Sequence, residues 1–543
     1  MTEFRQIIGF VLMHRYAFYS VYYPLLVLLS FVFFLLVVMT ILATVRISQS
    51  PKDIPWAGLP NSRILPKLRA SMRGMMVGRK AINEGYEKFS KRDKPFILPG
   101  LHWNTVVLPP SNTSWAASQP ENILSGNAVL DETMGLDYLA HGPSADSARD
   151  FSVIRRDLTR QTAKLAADVY EEIRLTIDAE LGSNTNEDKE VGAMDLMRKI
   201  AFRAANRIFV GAPLCRQKSY EKRIERWSSL YGICTIVMIL AIPRPLKSSF
   251  MTLVSVPVGI LRWFATRELR SEIHHRLQDP AAEKKNDMMQ WIISTNASKS
   301  DARELEPANI AGKMILFNLF ATGTTSTMAG LVLQDILHYK VAANLLEELR
   351  EEAAQYIPLI EQSNDPTALR SMAKLDSVIR ESLRSNPLGA QAMVREVVAP
   401  AGVVTPDGVH LPRGTHVAVH VTAHQRDEEV FGEGAGEYRP LRHYESGENG
   451  KQRIAVQLNE EYMSFGLGRH ACPWRFFAVS TMKLILGYLF MEFEVEPAAE
   501  GVEKKVWEIA ESVIPSDKWK MKVRRRRKGS ESNGHEEKKE AMQ

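Results

Sequence analysis

The segment Phe465-Gly466-Leu467-Gly468-Arg469-His470-Ala471-Cys472-Pro473-Trp474-Arg475-Phe476 sets one thiol among glycines, aromatic rings and cations. These are the parts a cysteine needs to bind a metal at the centre of a flat macrocycle. The glycines let the backbone approach such a surface, Phe465 excludes water beside the sulfur, and the cations meet acidic substituents on the ring. Ala478 to Phe490 reads as a helix, whose N-terminal dipole favours a thiolate just ahead of it. A lone cysteine is more often an inert buried residue. The flanks of Cys472 argue against that reading.

Two further segments carry chemistry. In Lys374 to Arg384, Glu381 and Arg384 lie three apart on a predicted helix, so a carboxylate and a guanidinium share one face. In Phe320-Ala321-Thr322-Gly323-Thr324-Thr325-Ser326, several hydroxyls and a glycine interrupt an otherwise apolar helical run. Taken singly, the first is an ordinary solvated pair and the second a set of hydroxyls bonded to the preceding turn.

The cysteine segment resembles the cysteine-loop signature of the cytochrome P-450 family, in the Gly-Arg-His-Ala-Cys-Pro form common in fungal members. The resemblance implies haem b (iron protoporphyrin IX) as cofactor, with the Cys472 thiolate as axial metal ligand and Phe465 and His470 beside the ring. Trp474 departs from the family, which usually has glycine two residues after the ligand. Glu381-x-x-Arg384 and Pro440-Leu441-Arg442-His443 resemble the two family segments whose charges interlock behind the haem, so Glu381, Arg384 and Arg442 are expected to form a structural triad. Thr325 aligns with the threonine that relays protons during dioxygen activation. The acid that commonly precedes it is replaced here by Thr324, so protons must come through ordered water or another acid. Arg155, Arg156 and Arg395 are further expected contacts to the haem propionates. Arg207 to Arg216 resembles fungal members that oxidise terpenoids and related secondary metabolites.

These residues need a large scaffold. The resemblance covers nearly the whole chain from the anchor to about Arg527 and implies a mainly α fold with a small β subdomain, preceded by one transmembrane helix. Ala17 to Val45 has no charged residue and is long enough to cross an apolar core of about 30 Å, which takes about 20 helical residues. Signal peptides have shorter apolar cores and a small-residue cleavage site, which fit poorly here. Arg46, Lys52, Arg63, Lys67, Arg69 and Arg73 follow the span while only Arg5 and Arg15 precede it, which places the remainder on the cytosolic side. The expected organisation is an anchor over 1–47, a proline-rich linker over 48–62, one catalytic domain over 63–528 and a disordered polar tail over 529–543. Met314 to Gln334 is also free of charge, but its hydroxyls favour a buried central helix with a polar patch facing a cavity. Cys234 to Ile242 and Phe250 to Phe264 suit either core or a surface that dips into a bilayer. Val403 to Val419, with an Asp407-Gly408 turn, reads as a hairpin, and Gly432-x-Gly434-x-Gly436 as loop rather than a dinucleotide site.

The 69 Lys+Arg against 63 Asp+Glu give +6, but eight cations cluster between Lys518 and Lys528, so no uniformly basic nucleic-acid surface is indicated. Three cysteines, Cys215, Cys234 and Cys472, are too few and too scattered for a disulfide framework. Without an oxidising context, Asn112-Thr113-Ser114 and Asn296-Ala297-Ser298 read as chance matches to the glycosylation pattern.

The resemblance therefore implies a monooxygenase that oxidises a lipophilic small molecule with O2. No flavin or nicotinamide site is visible, so electrons would come from an NADPH-dependent cytochrome P-450 reductase, with cytochrome b5 as a further donor, at the endoplasmic reticulum membrane. An isomerase or dehydratase acting on an oxygenated substrate would use the same fold. So would a haem carrier, although the polar-centred helix around Thr325 speaks against that.

Overall fold

The computed structural model describes residues 23–61, 64–100, 103–139, 151–182, 187–242, 244–298, 302–363, 365–445, 453–498, 506–509 and 512–527. The opening of the expected anchor (1–22), the last residue of the linker and the tail (529–543) lie outside them. The helices used below are α1 (Tyr23–Gln49), α2 (Gly126–Met134), α3 (Ala193–Phe209), α4 (Lys218–Ala241), α5 (Arg244–Ala265), α6 (Met288–Ala297), α7 (Pro307–Leu337), α8 (Ala342–Ser363), α9 (Ala373–Ser385) and α10 (Arg475–Glu492). A five-stranded sheet lies beside them, built from β1 (Phe96–Leu98), β2 (Thr105–Leu108), β3 (Leu124–Ser125), β4 (Gln391–Val397) and β5 (His416–His420) in the order β1-β2-β5-β4-β3.

α1 is apolar along most of its length and ends just before Pro51, because the residue ahead of a proline is pushed out of the helical region. Its 27 residues span about 40 Å at about 1.5 Å per residue. Large side chains stand in the open along it, Phe33 at 69% and Phe34 at 56% exposure.

α7 is the helix around which the body packs. Pro307 opens it where no intrahelical partner is needed for the missing N–H, and Ile310 to Asn318 and Met328 to Leu337 are buried. Between them Gly323 and Thr324 are exposed, and a Cβ added to Gly323 would meet nothing within 4 Å. The second apolar run is thus a core helix with a polar window onto open space, as its hydroxyls suggested.

α5 resolves the other open choice. Met251, Val258 and Ala265, spaced by seven, face inward, while Leu253, Val256, Ile260 and Trp263 are 73%, 63%, 55% and 54% exposed. This stretch is surface on one side and core on the other.

The sheet carries two cross-strand pairs used below, Arg395 opposite Val417 and Glu396 opposite His416, next to a bulge at Met393 where φ is +53°. Val403–Val404 and His410–Leu411 pair antiparallel about the Asp407-Gly408 turn, with Gly408 at φ +82°. Residues 432–436 form turns. Asn112 and Asn296 are buried and bonded to Asp407 and the Glu304 carbonyl, so neither acceptor asparagine presents its amide to solvent.

Candidate functional site

The cysteine loop is a tight backbone structure closed on itself. The Cys472 N–H donates to the Phe465 carbonyl at 2.8 Å and the Gly466 N–H to that of Met463 at 2.8 Å. Gly466 and Gly468 take φ values of +75° and +70°, where a side chain is strained. At Gly468 a Cβ would also lie 2.9 Å from the Ala117 carbonyl oxygen, a backbone atom that cannot yield cheaply. Gly468→Ala is therefore expected to lower haem content and to cost roughly 1–3 kcal/mol of stability, checked by the haem-to-protein absorbance ratio and thermal denaturation.

Burial pushes the Cys472 thiol up; the backbone N–H groups of Trp474 and Arg475 and the charge of Arg475 pull the other way. Those two amides begin α10, the expected thiolate-stabilising helix, and Arg475 further donates to the Cys472 carbonyl at 2.9 Å. A coordinated thiol is deprotonated outright, so these donors act on the charged form once metal is bound.

Trp474 needs no glycine in its place. Its backbone sits in the right-handed helical region, at φ −83 and ψ −7, where any residue is allowed. Its ring fills a pocket against Phe209 of α3 at 5.5 Å and Phe317 of α7 at 5.6 Å. The departure from the family pattern is thus an aromatic brace between the loop and the central helix.

Behind the loop, Glu381 and Arg384 are both 0% exposed and pair as a fork, Nε to Oε2 at 2.7 Å and Nη2 to Oε1 at 2.8 Å. Arg442 Nε reaches Oε1 at 3.2 Å, the Arg439 N–H donates to it at 2.9 Å, and His443 Nε2 lies 3.2 Å from Oε2. Burial alone would raise the Glu381 pKa; the Arg384 fork, His443 and the Arg439 amide hold it at about 2. Arg384 also donates to the carbonyls of Gln425, Ala435 and Glu437, which ties α9 to the segment that leads into the cysteine loop.

On the sheet side, Arg395 is 8% exposed and its Nη1 donates to the Val394 carbonyl at 3.3 Å. Burial lowers its pKa, and only Glu121 opposes that effect. His470 Nδ1 lies 3.4 Å from Glu121, while its Nε2 is buried without a hydrogen-bond partner among the described residues. Burial, then the positive charges of Arg395, Arg155 and Arg469, push the His470 pKa down against Glu121. Arg395 and His470 thus share the Glu121 carboxylate, with the exposed Arg155 and Arg469 adding positive charge beside the histidine. That arrangement suits the two carboxylates of a haem. Arg156, expected beside Arg155, is turned elsewhere: it grips Asp157 at 2.9 and 2.7 Å and Thr295 of α6 at 2.9 Å. Consecutive residues of a helical turn project in different directions.

In the window of α7, Thr322, Thr324, Ser326 and Thr327 donate to backbone carbonyls of the preceding turn at 2.7 to 2.9 Å. Thr325 alone among these hydroxyl residues makes no such bond to the described chain, although it is only 4% exposed. Its hydroxyl is left available.

Glu121 and His443 were not singled out in the sequence. Glu121 lies some 350 residues from His470 and carries no local signal, whereas His443 adjoins Arg442 and could have been suspected from that neighbourhood.

A family model described as Cytochrome P450 matches residues 129–523. Among curated proteins, the cytochrome P450 monooxygenase polB of Polytolypa hystricis is 29% identical over 502 residues, covering 88% of this chain and 94% of its own length. The cytochrome P450 monooxygenase lnaC of Aspergillus flavus is 30% identical over 468 residues, covering 82% and 88%. The crystal structure of a cytochrome P450 (CYP102L1) superposes with a TM-score of 0.64 at 17% identity, over 88% of this chain and 100% of that one, a likeness of fold alone.

Proposed function

We propose, from the premise that this chain belongs to the cytochrome P450 family and is a monooxygenase, an oxidoreductase that incorporates oxygen, that it oxidises a lipophilic small molecule at a haem held by Cys472. The observation that carries this reading is the cysteine loop itself, a half-buried thiol facing two backbone amides, with positive charge at Arg395 and Arg155 beside His470. Bound there, haem supplies the redox chemistry that splits dioxygen with electrons from outside.

The chain's own residues then have separate tasks. The Cys472 thiolate would hold the iron, with the Trp474 and Arg475 amides steadying its charge. Phe465, at 6% exposure, keeps water from the sulfur. Arg395, His470 and Arg155 would hold the propionates, and the Glu381–Arg384–Arg442 triad fixes the loop. Thr325, whose hydroxyl is not committed to its own helix, passes protons toward the reacting oxygen. Thr324 cannot serve as the acid, since it is a hydroxyl that already donates to the Phe320 carbonyl at 2.8 Å. Thr325→Val keeps the branched shape and removes the donor and acceptor. Product per NADPH consumed is expected to fall severalfold with peroxide released in its place, while haem content and thermal stability hardly change. An unchanged ratio would make this threonine a helix residue only.

The likeness of Arg207 to Arg216 to fungal members that oxidise terpenoids favours a terpenoid or related secondary metabolite as the substrate. An NADPH-dependent cytochrome P-450 reductase, with cytochrome b5 as a second donor, would dock on the cysteine-loop side. Incubating membrane-embedded enzyme, reductase and NADPH with candidate terpenoids and polyketides tests this: a product carrying one oxygen from labelled O2 supports it. Turnover without NADPH would instead favour an isomerase or dehydratase, the reading to which the missing acid at Thr324 lends weight.

We further infer a single-pass anchor in the endoplasmic reticulum membrane with the body in the cytosol. The exposed apolar length of α1 and the exposed face of α5 support it. Removal of the residues before Ser48 is expected to weaken vesicle association strongly while haem binding persists, because the haem residues all lie in the later body; flotation and haem absorbance are the readouts.

A further inference from the structure

The exposed apolar helices α1 and α5 approach the same part of the five-stranded sheet. There the structure has a cavity of about 510 Å³, in the size range of small-ligand sites. The end of α1 supplies Arg46 and Ser50 to its wall, and the sheet and its turns supply Trp103, Asn104, Arg413 and His416. No carboxylate lines it among the described residues.

The wall is built rather than incidental. Asn104 Nδ2 donates to Ser50 Oγ at 3.0 Å, and Ser50 Oγ to the Arg46 carbonyl at 2.9 Å, which joins the last turn of α1 to the loop before β2. The Trp103 ring stacks on His416 at 5.2 Å and 17°. Lys247 from the first turns of α5 sits 5.3 Å over the same indole, so α5 reaches this wall as well. Behind it, Glu132 lies 3.7 Å from Lys247 and 3.3 Å from His416 and is not part of the cavity's lining. Arg413 is exposed at the rim and forms no ion pair among the described residues.

We propose that this cavity binds the phosphate-bearing headgroup of an anionic phospholipid, with Arg46 and Arg413 as a cationic clamp. Guanidinium forks match phosphate oxygens in geometry as well as charge. The lipid source follows from position: the cavity lies at the foot of a helix about 40 Å long whose apolar side chains stand exposed, at the depth where headgroups begin. This inference rests on the anchor reading of α1.

The test uses full-length haem-loaded protein in lipid-stripped detergent micelles, titrated with dihexanoyl phosphatidylserine. Arg46→Ser and Arg413→Ser are each expected to weaken binding about tenfold, the loss of one charge-assisted contact, with unchanged melting temperature. Arg524→Ser, in the basic C-terminal strand, is expected to leave it unaltered. Unchanged affinity in both clamp variants, or an equal loss in Arg524→Ser, would replace the site by diffuse attraction and overturn it. Inorganic phosphate that displaces the lipid at equal concentration would overturn the lipid as occupant in favour of free phosphate. Flotation of the same proteins on phosphatidylcholine vesicles addresses the anchor separately: a chain that stays unbound there sinks the anchor reading, whatever its affinity in micelles.

Discussion

Cys472→Ser is expected to abolish the thiolate-type absorption of the reduced, carbon-monoxide-bound protein and to take monooxygenase activity below detection. A serine hydroxyl is a poor donor to iron, and the electron density that favours O–O cleavage comes from the thiolate. The loop itself should survive, since the Cys472 N–H to Phe465 bond at 2.8 Å is backbone and serine is smaller than cysteine. The variant should therefore stay folded, with normal far-ultraviolet circular dichroism and reduced haem content. Those two measurements separate a lost ligand from a lost fold. A persistent thiolate band would require another cysteine as ligand. Cys215 is a poor alternative: burial pushes its thiol pKa up to about 12, and it is fully enclosed beside Glu172.

Glu381→Gln is expected to destabilise the protein by roughly 3–5 kcal/mol, the usual cost of leaving a buried charge without its partner. That is a large share of a total stability of about 5–15 kcal/mol, so haem retention should fail well below the parent's melting temperature. Arg384, 0% exposed, would keep its carbonyl contacts but lose its counter-charge, and Arg442 would lose its 3.2 Å contact. Replacing Glu381 and Arg384 together by methionines should cost less than the single change, because the fully buried Arg384 charge leaves with its partner and only the partly exposed Arg442 loses a counter-charge. If the double variant proves as unstable as the sum of both singles, the pair is not coupled as the fork implies. The same carboxylate makes a pH prediction. Its pKa falls from an ordinary 4.5 to about 2 on folding, so its contribution is fully present above about 4.5 and is lost as pH drops toward about 2. Acid release of haem in this window should be blunted in the double variant.

Local chemistry was legible in the residues themselves. The cysteine loop, the Glu381-x-x-Arg384 spacing and the hydroxyls from Thr322 to Thr327 are short-range patterns, and helical periodicity alone puts Glu381 and Arg384 on one face. Central burial of α7 was readable too, since hydroxyls and a glycine in mid-run are a chemical sign that lipid is not the neighbour.

Groups joined by few bonds along the chain could therefore be read directly, whereas the meeting of distant groups depends on the fold. Which side of α5 faces out depends on what Met251 and Val258 pack against, and an apolar helix reads the same on either side. Arg155 and Arg156 are neighbours in sequence, yet packing sends Arg156 to Thr295. Glu121 meets His470, and Trp103 meets His416, only because the sheet and the cysteine loop are brought together across hundreds of residues. Even Trp474, conspicuous as a departure, owes its role to Phe209 and Phe317, which no spacing in the chain could have placed beside it. The physical reason is common to all: covalent geometry fixes neighbours over one or two turns, whereas a contact across the fold is set by burial of the whole core.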